Sequence, residues 1–510
     1  MQYIRAYVLA GLILGLTTGC GIEPVGIPDG YDFPGERNTI QTWADEWQLN
    51  LIRPKAWKLW AGMTAPSGQS AGGAELPVWE TWCGTQAVFV DQDCGESRPP
   101  RPPRDFINAS QLSHGKQESE QRLPSFNKFN PAMADFLGQI HPGPDGTTNK
   151  YDYRSAASLA SLNQTFNETG AKIPDRKIQE TPYAPPLGGQ RGYAAMELKP
   201  VFFLVKAKGL SPVPLWRGYA DSTVGRSQCF NIFTRKYEGG PKCHPDPTTW
   251  KTCVLVDPEN SSAPADTALI PATKEQIKSI NAGFFKSPRK KKLKQYNCQT
   301  YYYAPISVIY GFAMDATEAK VLDGLIGQSG DLGGGAAVAA GDFAVLTGMH
   351  VNTKEIVNWT WQTFWWQPNA PTNASATFYS NDPGGPENSN KVDMPPAGEN
   401  FVKREWRNYA MCTAYNQTKG LGSKEMVICF NPYLETSPHI TDGTESNCMT
   451  CHGTATYGPY NSRSQGNTLP YPWQGSKPRY YDGPIDFDND PRFAPYTRTD
   501  FSWAIPTNAQ

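Results

Sequence analysis

The feature that most constrains this chain is a five-residue motif close to its C-terminus, Cys448-Met449-Thr450-Cys451-His452. Two thiols three positions apart lie about one helical turn apart, so both can reach one edge of a flat ring system. The histidine that follows can then bind an iron at the centre of that ring. C-x-x-C-H is the attachment motif of a c-type haem. We therefore predict one covalent haem c on Cys448 and Cys451, with His452 as proximal iron ligand.

Two other interpretations of the motif remain at this point. Cys448 and Cys451 could form a short-loop disulfide, or they could be half of a zinc site. A structural zinc site needs two further ligands, usually from a second close cysteine pair. The sequence contains no second C-x-x-C, which favours the haem.

The N-terminus is typical of an exported bacterial protein. A basic start is followed by an apolar run over 6–16 and then by small residues up to Cys20. This pattern predicts a signal peptide over 1–19 and a lipid on Cys20 that anchors the protein to the membrane. The chain departs from the usual lipoprotein signal at one position: three residues before the cysteine it has Thr17, where such signals usually have Leu. Gly21, rather than Asp, favours the outer membrane of a bacterial cell envelope by analogy with enterobacterial sorting.

The other cysteines agree with an oxidising compartment. The chain has eleven cysteines, and eight remain when Cys20 and the two of the motif are set aside. An even remainder is typical of disulfide-bonded exported proteins. Local spacing favours the pairs Cys83–Cys94 and Cys412–Cys429. The pairing among the remaining four stays open: Cys229, Cys243, Cys253 and Cys298.

Composition excludes some partners and leaves others open. The formal net charge is −1, so nothing indicates a nucleic acid as a partner. One basic cluster, over 289–294, is a solvated loop or a docking patch for an acidic redox partner. Neither the redox partner nor the oligomeric state can be derived from the sequence.

The pattern of elements predicts a loop-rich α+β fold with N-terminal helices, a central, mainly antiparallel β region and a C-terminal haem-binding segment. We expect a tether over 20–36, one large α+β domain over 37–440 and the haem-binding segment over 441–510. Apolar periodicity and β-branched or aromatic enrichment place the elements. Helices are predicted over 38–60 with a break near Pro54, 131–140, 152–169 and 273–280, and strands over 196–206, 253–256, 301–313, 343–351, 359–364 and 425–430.

The second axial ligand of the iron must come from upstream if it is a methionine or histidine, because neither residue follows His452. Met349 and His350 stand at a predicted strand end beside an aromatic block that includes Trp361 and Phe364. Large aromatic side chains can cover the apolar faces of a haem. We predict that Met349, His350, Trp361 and Phe364 contact the cofactor, with His350 as the distal metal ligand and the Met349 thioether as the alternative ligand. The alternatives are a structural histidine, aromatic residues that belong to an ordinary core, and an open distal site.

Four stretches of the chain carry a resemblance to a known family. They are 76–82 (LPVWETW), 196–200 (MELKP), 348–364 (GMHV…K…WTWQTF), and 447–455 (NCMTCHGTA) with 500–503 (DFSW). Taken in their order, they resemble the large bacterial monohaem proteins known as "cytochrome c family proteins", which carry one haem motif near the C-terminus. The family pattern differs after Phe364, where it usually continues with Glu-His and this chain has Trp365-Trp366. The resemblance implies an exported, haem-binding redox protein and supplies no established reaction.

The main functional hypothesis is a lipid-anchored monohaem cytochrome that transfers electrons. The first alternative is a haem enzyme, a peroxidase or substrate oxidase, with an open or weakly ligated distal site. The second alternative is a surface-binding protein whose haem is structural. The sequence leaves open whether the protein is an enzyme.

Overall fold

The computed structural model describes most of the chain from residue 22 onward. The predicted signal peptide over 1–19, Cys20, Cys229, Cys243 and the basic cluster over 289–294 lie outside the described residues. These are 22–92, 94, 104, 106–110, 122–143, 149–184, 193–217, 230–231, 236–237, 249–284, 296–329, 336–368, 393–396, 401–427, 429, 431–434, 447–460, 467–469, 473–474, 477–478 and 484–510.

The helices and strands alternate irregularly along the chain. The helices are α1 (Arg37–Asp45), α2 (Leu49–Met63), α3 (Pro131–Gly138), α4 (Ala156–Thr169), α5 (Lys274–Lys278), α6 (Ala316–Ser329), α7 (Cys448–His452) and α8 (Ala504–Asn508). The strands are β1 (Pro66–Ala71), β2 (Ala74–Pro77), β3 (Cys83–Gly84), β4 (Ile107–Ser110), β5 (Arg122–Ser125), β6 (Lys128–Phe129), β7 (Ile140–Pro142), β8 (Lys150–Asp152), β9 (Tyr183–Ala184), β10 (Tyr193–Ala194), β11 (Met196–Val205), β12 (Ser211–Pro214), β13 (Phe230–Asn231), β14 (Lys236–Tyr237), β15 (Thr252–Asp257), β16 (Ile270–Pro271), β17 (Thr300–Pro305), β18 (Gly311–Ala313), β19 (Phe343–Thr353), β20 (Thr360–Trp366), β21 (Tyr409–Thr413), β22 (Thr456–Tyr457), β23 (Trp473–Gln474), β24 (Lys477–Pro478) and β25 (Thr497–Arg498).

The fold is α+β, as predicted, and the sheets are mainly antiparallel. The largest sheet in the described part of the chain has the order β21-β20-β19-β11-β5-β4, with β18, β3 and β6 joined at its side. A smaller sheet has the order β12-β15-β17-β16 and includes the parallel pair β15–β17. The long antiparallel ladder between β11 and β19 lies at the centre of the large sheet.

Helix α2 covers one face of the large sheet. Its Trp60 stacks on Phe364 of β20 with ring centroids 4.1 Å apart, and Trp57 meets the same ring edge-on at 5.5 Å. Met349 on β19 and Met411 on β21 are the cross-strand neighbours of Phe364, so they share this face. The face of the large sheet opposite to Phe364 is therefore not covered by α2.

Most predicted elements are present. The helix predicted over 131–140 is α3, and its cap is Asn130, whose Oδ1 accepts a hydrogen bond from the Met133 N–H at 3.0 Å. The helices predicted over 152–169 and 273–280 are α4 and α5, and the strands predicted over 196–206, 253–256, 343–351 and 359–364 are β11, β15, β19 and β20.

Four details of the prediction were wrong. The first helical segment breaks at Trp47, which has a φ of 57°, and Pro54 lies inside α2. Pro54 has no N–H to donate to the carbonyl of Asn50. Asn50 is exposed, so water can donate a hydrogen bond to this carbonyl instead. The strand predicted over 301–313 is divided by a 3₁₀ turn, and helix α6 was not predicted. In the stretch predicted as a strand over 425–430, the described residues form only one isolated bridge, at Met426.

Cysteine pairs and the core connect distant parts of the chain. Cys83–Cys94 and Cys412–Cys429, the two local pairs predicted, lie at disulfide distance with Cα atoms 6.1 and 5.8 Å apart. Cys253 pairs with Cys298 at a Cα separation of 5.5 Å.

One hydrophobic cluster extends from Ile27 to Ile505 and includes Met449 of the haem motif. Within the described residues, no helix is both long and apolar enough to cross a bilayer.

Candidate haem-binding site

The C-x-x-C-H motif forms the short helix α7, and Asn447 caps it. The Asn447 side chain accepts a hydrogen bond from the Thr450 N–H at 2.9 Å, and the Cys451 N–H donates to the Asn447 carbonyl at 3.0 Å. Met449 and Thr450 are buried, whereas Cys448, Cys451 and His452 are partly exposed. The helix therefore presents the two sulfurs and the imidazole on the side that its buried residues do not occupy.

A helix of five residues cannot form alone in water, so its surroundings must stabilise it. The Asn447 amide donates to the carbonyls of Val427 at 2.8 Å and Asn416 at 3.0 Å. The Thr450 hydroxyl donates to Gln417 Oε1 at 2.9 Å. These bonds connect α7 to the segment after β21, thirty residues upstream.

His452 has a defined proton position. Its Nδ1 lies 3.0 Å from the carbonyl oxygen of Phe501, which can only accept a hydrogen bond. Nδ1 therefore carries the proton, and Nε2 holds the lone pair that an iron requires. Burial lowers the pKa of His452 to about 4, against the effect of the Phe501 hydrogen bond, and the charge of Lys199 lowers it further. The ring is therefore neutral at physiological pH.

The turn that holds the Phe501 carbonyl is strained and well anchored. Asp500 and Phe501 have φ angles of 49° and 67°, in the left-handed region that costs non-glycine residues about 1 kcal/mol or more each. Asp500 accepts hydrogen bonds from Lys354 at 2.7 Å and from the Thr181 N–H at 3.0 Å. Lys354 is 1% exposed, so this ion pair is buried.

The next residue in the turn, Ser502, connects it to the large sheet. Its hydroxyl donates to Glu197 of β11, which is buried. Burial, together with the nearby charge of Asp500 and against the effect of the Ser502 hydrogen bond, raises the pKa of Glu197 to about 7.

His350 lies on the sheet face opposite to the one that α2 covers. On β19 it is the cross-strand neighbour of Lys199 on β11 and of Thr363 on β20, and Thr363 is in turn the neighbour of Cys412 on β21. Opposed residues in an antiparallel ladder point to the same face. We call Lys199, His350, Thr363 and Cys412 the cross-sheet row.

The hydrogen bonds of His350 also define its tautomer. The Thr363 hydroxyl lies 2.9 Å from His350 Nδ1, 2.9 Å from the Asn431 amide nitrogen and 3.2 Å from the Met349 carbonyl. The hydroxyl has one proton, which the carbonyl requires, and two lone pairs, of which the Asn431 amide takes one. His350 Nδ1 is then the donor to the other lone pair, which places the lone pair of the imidazole ring on Nε2.

The two histidines are close enough to influence each other electrostatically. Burial lowers the pKa of His350 to about 3, and the charges of Lys199 and His452 lower it further. Two neutral imidazoles with their protons on Nδ1 thus come from different parts of the fold to one site. Neutral imidazoles are common axial ligands of haem iron, and Cys448 and Cys451 lie within one helical turn of His452.

Of the predicted aromatic and sulfur ligands, only Trp361 belongs to this site. Its ring centroid lies 4.3 Å from that of His452. Met349 and Phe364 lie on the other face of the sheet, against α2, because neighbouring residues of a strand point to opposite faces. They therefore lie on the face away from His350 and Trp361, and their contact with the cofactor stays a prediction.

Sequence reasoning missed the residues that position the histidines. Glu197 and Lys199 were quoted in the motif over 196–200, and Phe501 in the motif over 500–503, but neither stretch had an assigned role. Thr363 stood in the third motif as an unremarked polar residue, and Asn431 was not considered. A lysine and a glutamate two positions apart on an otherwise apolar predicted strand were the available signal.

Comparison of the chain with protein-family models, with curated proteins and with solved structures finds no match. The class of protein is therefore inferred from the site, where the α+β fold brings the C-x-x-C-H helix close to a second neutral histidine. The family resemblance of the four motifs stays a prediction.

Proposed function

We propose that this protein is an exported monohaem c-type cytochrome that transfers electrons. Cys448 and Cys451 would hold the haem, and His452 and His350 would be its axial ligands. The bound haem would supply the one-electron chemistry of its iron. The observation that carries the proposal is the pair of histidines, each with its Nδ1 proton held by a neighbouring oxygen acceptor.

The residues of the chain would orient and insulate the iron. The Phe501 carbonyl and the Thr363 hydroxyl fix the two imidazole rings, which lowers the reorganisation that accompanies electron transfer. Trp361 packs against His452 and excludes water from that side. Cys448 and Cys451 would hold the haem by thioether bonds, and because each thiol would add across a vinyl group with its proton on the other vinyl carbon, attachment would need no oxidant.

The first experiment tests the covalent haem. Protein produced with a c-type maturation system should keep its haem through acid–acetone extraction, and the double variant Cys448→Ala/Cys451→Ala should not. Complete extraction of the haem from the wild type would refute the proposal.

The second experiment tests the distal ligand. His350→Ala should convert a low-spin, six-coordinate spectrum to a high-spin spectrum and open the iron to cyanide and carbon monoxide, while the haem stays attached. His141→Ala is the matched control, because His141 is bonded to Gln179 at 2.9 Å and to the Phe136 carbonyl at 2.8 Å, outside the cross-sheet row. Met349→Leu should also leave the spectrum unchanged. Rapid cyanide binding by the wild type would instead favour the haem enzyme with an open distal site.

The third experiment tests the membrane anchor, which we propose on Cys20. Cys20→Ala should move the protein from the membrane fraction to the soluble fraction of the cell envelope. A variant that stays in the membrane with the mass of the wild type would exclude a lipid at this position.

A further inference from the structure

The segment that precedes α1 lies against α2 and runs antiparallel to it. We call residues 23–36 the strap. A Cβ on Gly62, near the C-terminus of α2, would come within 2.6 Å of Ile27 Cγ2, so only a glycine allows this approach. About two turns earlier in α2, Lys55 donates a hydrogen bond to the Asp32 carbonyl at 2.7 Å. The strap therefore follows α2 from its C-terminal end toward its N-terminal end.

A buried ion pair holds the C-terminal end of the strap. The Gly35 N–H donates to Glu355 Oε1 at 2.7 Å, and the same carboxylate pairs with Lys55 at 2.6 Å. The side chains of Lys55 and Glu355 are only 6% and 0% exposed. A charge buried in this way is costly without its partners, so this end of the strap is tightly bound.

Two reciprocal pairs of hydrogen bonds hold the N-terminal end of the strap. The Glu23 N–H donates to Gln69 Oε1 at 2.7 Å, and Gln69 Nε2 donates to the Glu23 carbonyl at 2.6 Å. The Val25 N–H donates to the Thr81 hydroxyl oxygen at 3.0 Å, and Trp82 Nε1 donates to the Val25 carbonyl at 2.7 Å. Since Gln69 belongs to β1, these bonds fix Glu23 to the β1–β2 hairpin.

The position of Glu23 limits how far the fold can lie from a lipid on Cys20. The two residues are three positions apart in the sequence, and an extended chain spans about 3.3–3.6 Å per residue. Their Cα atoms are therefore at most about 11 Å apart. Because acyl chains on Cys20 would be embedded in the bilayer, the hairpin that holds Glu23 would lie at the membrane surface.

The hairpin offers a small, nearly uncharged surface. Its residues, 66–77, include no Lys or Arg, and Glu75 is the one charged residue among them. Its buried residues, Leu76 and Pro77, lie at its base, and the other positions are exposed or partly exposed. Such a surface can approach zwitterionic headgroups, and it has no basic cluster to attract anionic lipid. The lipid would supply the affinity, and the strap would set the orientation.

We propose, on the basis of the lipid anchor on Cys20 proposed above, that the strap holds the β1–β2 hairpin against zwitterionic phospholipid headgroups, so that the protein sits on the membrane in one orientation. The opposite end of α2 then lies farther from the bilayer. Leu421 marks that end, because its N–H donates to the Asp45 carbonyl at 2.7 Å, just before α2 begins. It is separated from the hairpin by the length of α2, about 20 Å.

The test is photo-crosslinking of the lipidated protein in phosphatidylcholine vesicles. The probe p-benzoylphenylalanine replaces either Ser70, which is exposed in β1, or Leu421, which is 82% exposed. The probe at Ser70 should form several-fold more lipid adducts, measured by mass spectrometry, than the probe at Leu421. A Gly-Ser insert of about six residues between Gly21 and Ile22 should remove most of this excess, because it lengthens the chain by up to about 20 Å. The same insert after Gln510 is the matched control and should leave the adducts unchanged.

Amide exchange tests the strap without the lipid. In the soluble Cys20→Ala protein, the N–H groups of Val25 and Gly35 should exchange slowly, because both are hydrogen-bonded to the fold. Exchange of both at the rate of an unstructured peptide would refute the strap.

The outcomes separate this inference from the anchor on which it rests. A Cys20→Ala protein that stays in the membrane with the mass of the wild type overturns both. If the protein carries the lipid but the two probes form adducts equally, or the insert leaves the adducts of the Ser70 probe unchanged, only the role of the strap is refuted. Adducts at Ser70 that appear only when anionic phosphatidylglycerol is added to the vesicles would indicate attraction by a basic surface, which also overturns the inference.

Discussion

Replacing Thr363 with Val tests the hydrogen-bonded centre of the site. Val keeps the shape of the side chain and removes the hydroxyl, which is fully buried. His350 Nδ1 and one Asn431 N–H then lose their acceptor, and the Met349 carbonyl loses a donor at 3.2 Å. Asn431 keeps its second bond, to the Phe364 carbonyl at 2.7 Å, so the main penalty falls on His350.

The expected loss of stability follows from these contacts. A buried polar group without a partner costs about 1–3 kcal/mol, so we expect Thr363→Val to lower the free energy of unfolding by about 2–4 kcal/mol. Thr363→Ser keeps the hydroxyl and loses one methyl group, which predicts a loss of about 1 kcal/mol. Thr347→Val is the control on the neighbouring strand, because the Thr347 hydroxyl makes only a 3.4 Å contact to the Val201 carbonyl. Its loss should stay below about 1 kcal/mol.

Urea unfolding followed by tryptophan fluorescence measures all three variants. In the haem-loaded protein, Thr363→Val should also bind cyanide faster than Thr363→Ser, because the His350 ring is no longer held in the tautomer that binds iron. A Thr363→Val protein within about 1 kcal/mol of Thr363→Ser would refute the hydrogen-bond assignment.

Three further predictions concern the surroundings of the site. Folding raises the pKa of Glu197 from 4.5 to about 7, so between these pH values the folded state keeps a proton that the unfolded state has lost. Glu197 therefore lowers the free energy of unfolding as the pH rises from about 4.5 to about 7. Between pH 5 and 8, the free energy of unfolding should fall by about 3 kcal/mol less in Glu197→Gln than in the wild type. Urea unfolding that gives the same pH profile for both proteins would contradict this prediction. Asn447→Ala should destabilise α7 by about 3 kcal/mol, because a helix cap and two buried hydrogen bonds are lost. Asn447→Ser should recover the cap, and amide exchange in α7 that is unchanged in both variants would exclude this role. Cys412→Ala/Cys429→Ala opens a loop of 17 residues and should cost about 3 kcal/mol in non-reducing urea unfolding, and a double variant as stable as the wild type would contradict the pairing.

Local patterns predicted much of the fold. Strands β11, β15, β19 and β20 and helices α3 and α4 were predictable because β-branched runs, helical periodicity and the Asn130-Pro131 cap act over a few residues. The stretch over 425–430 has the composition of a strand, but its described residues do not join the sheet, and the Val427 N–H donates to the Gln417 carbonyl instead. Its fate depended on tertiary partners that composition does not contain.

The choice between Met349 and His350 shows what sequence leaves undecided. Strand alternation implies that the two side chains point to opposite faces. Both faces of β19 are largely buried, however, so no polar and apolar alternation tells which face meets the haem motif. The packing of α2 on Phe364, the cross-strand neighbour of Met349, shows that Met349 shares the face that α2 covers and that His350 lies on the other face.

The sequence by itself determined the chemistry at one end of the site. The spacing of Cys448, Cys451 and His452 is local, and one helical turn, once formed, brings the three side chains to one side. Only the tertiary structure decided what faces them. The acceptor for His452 is 49 residues away at Phe501, and Lys199, His350 and Thr363 come together through the register of three strands. Such contacts are set by the packing of the whole fold, because each local segment is compatible with many partners until burial selects one.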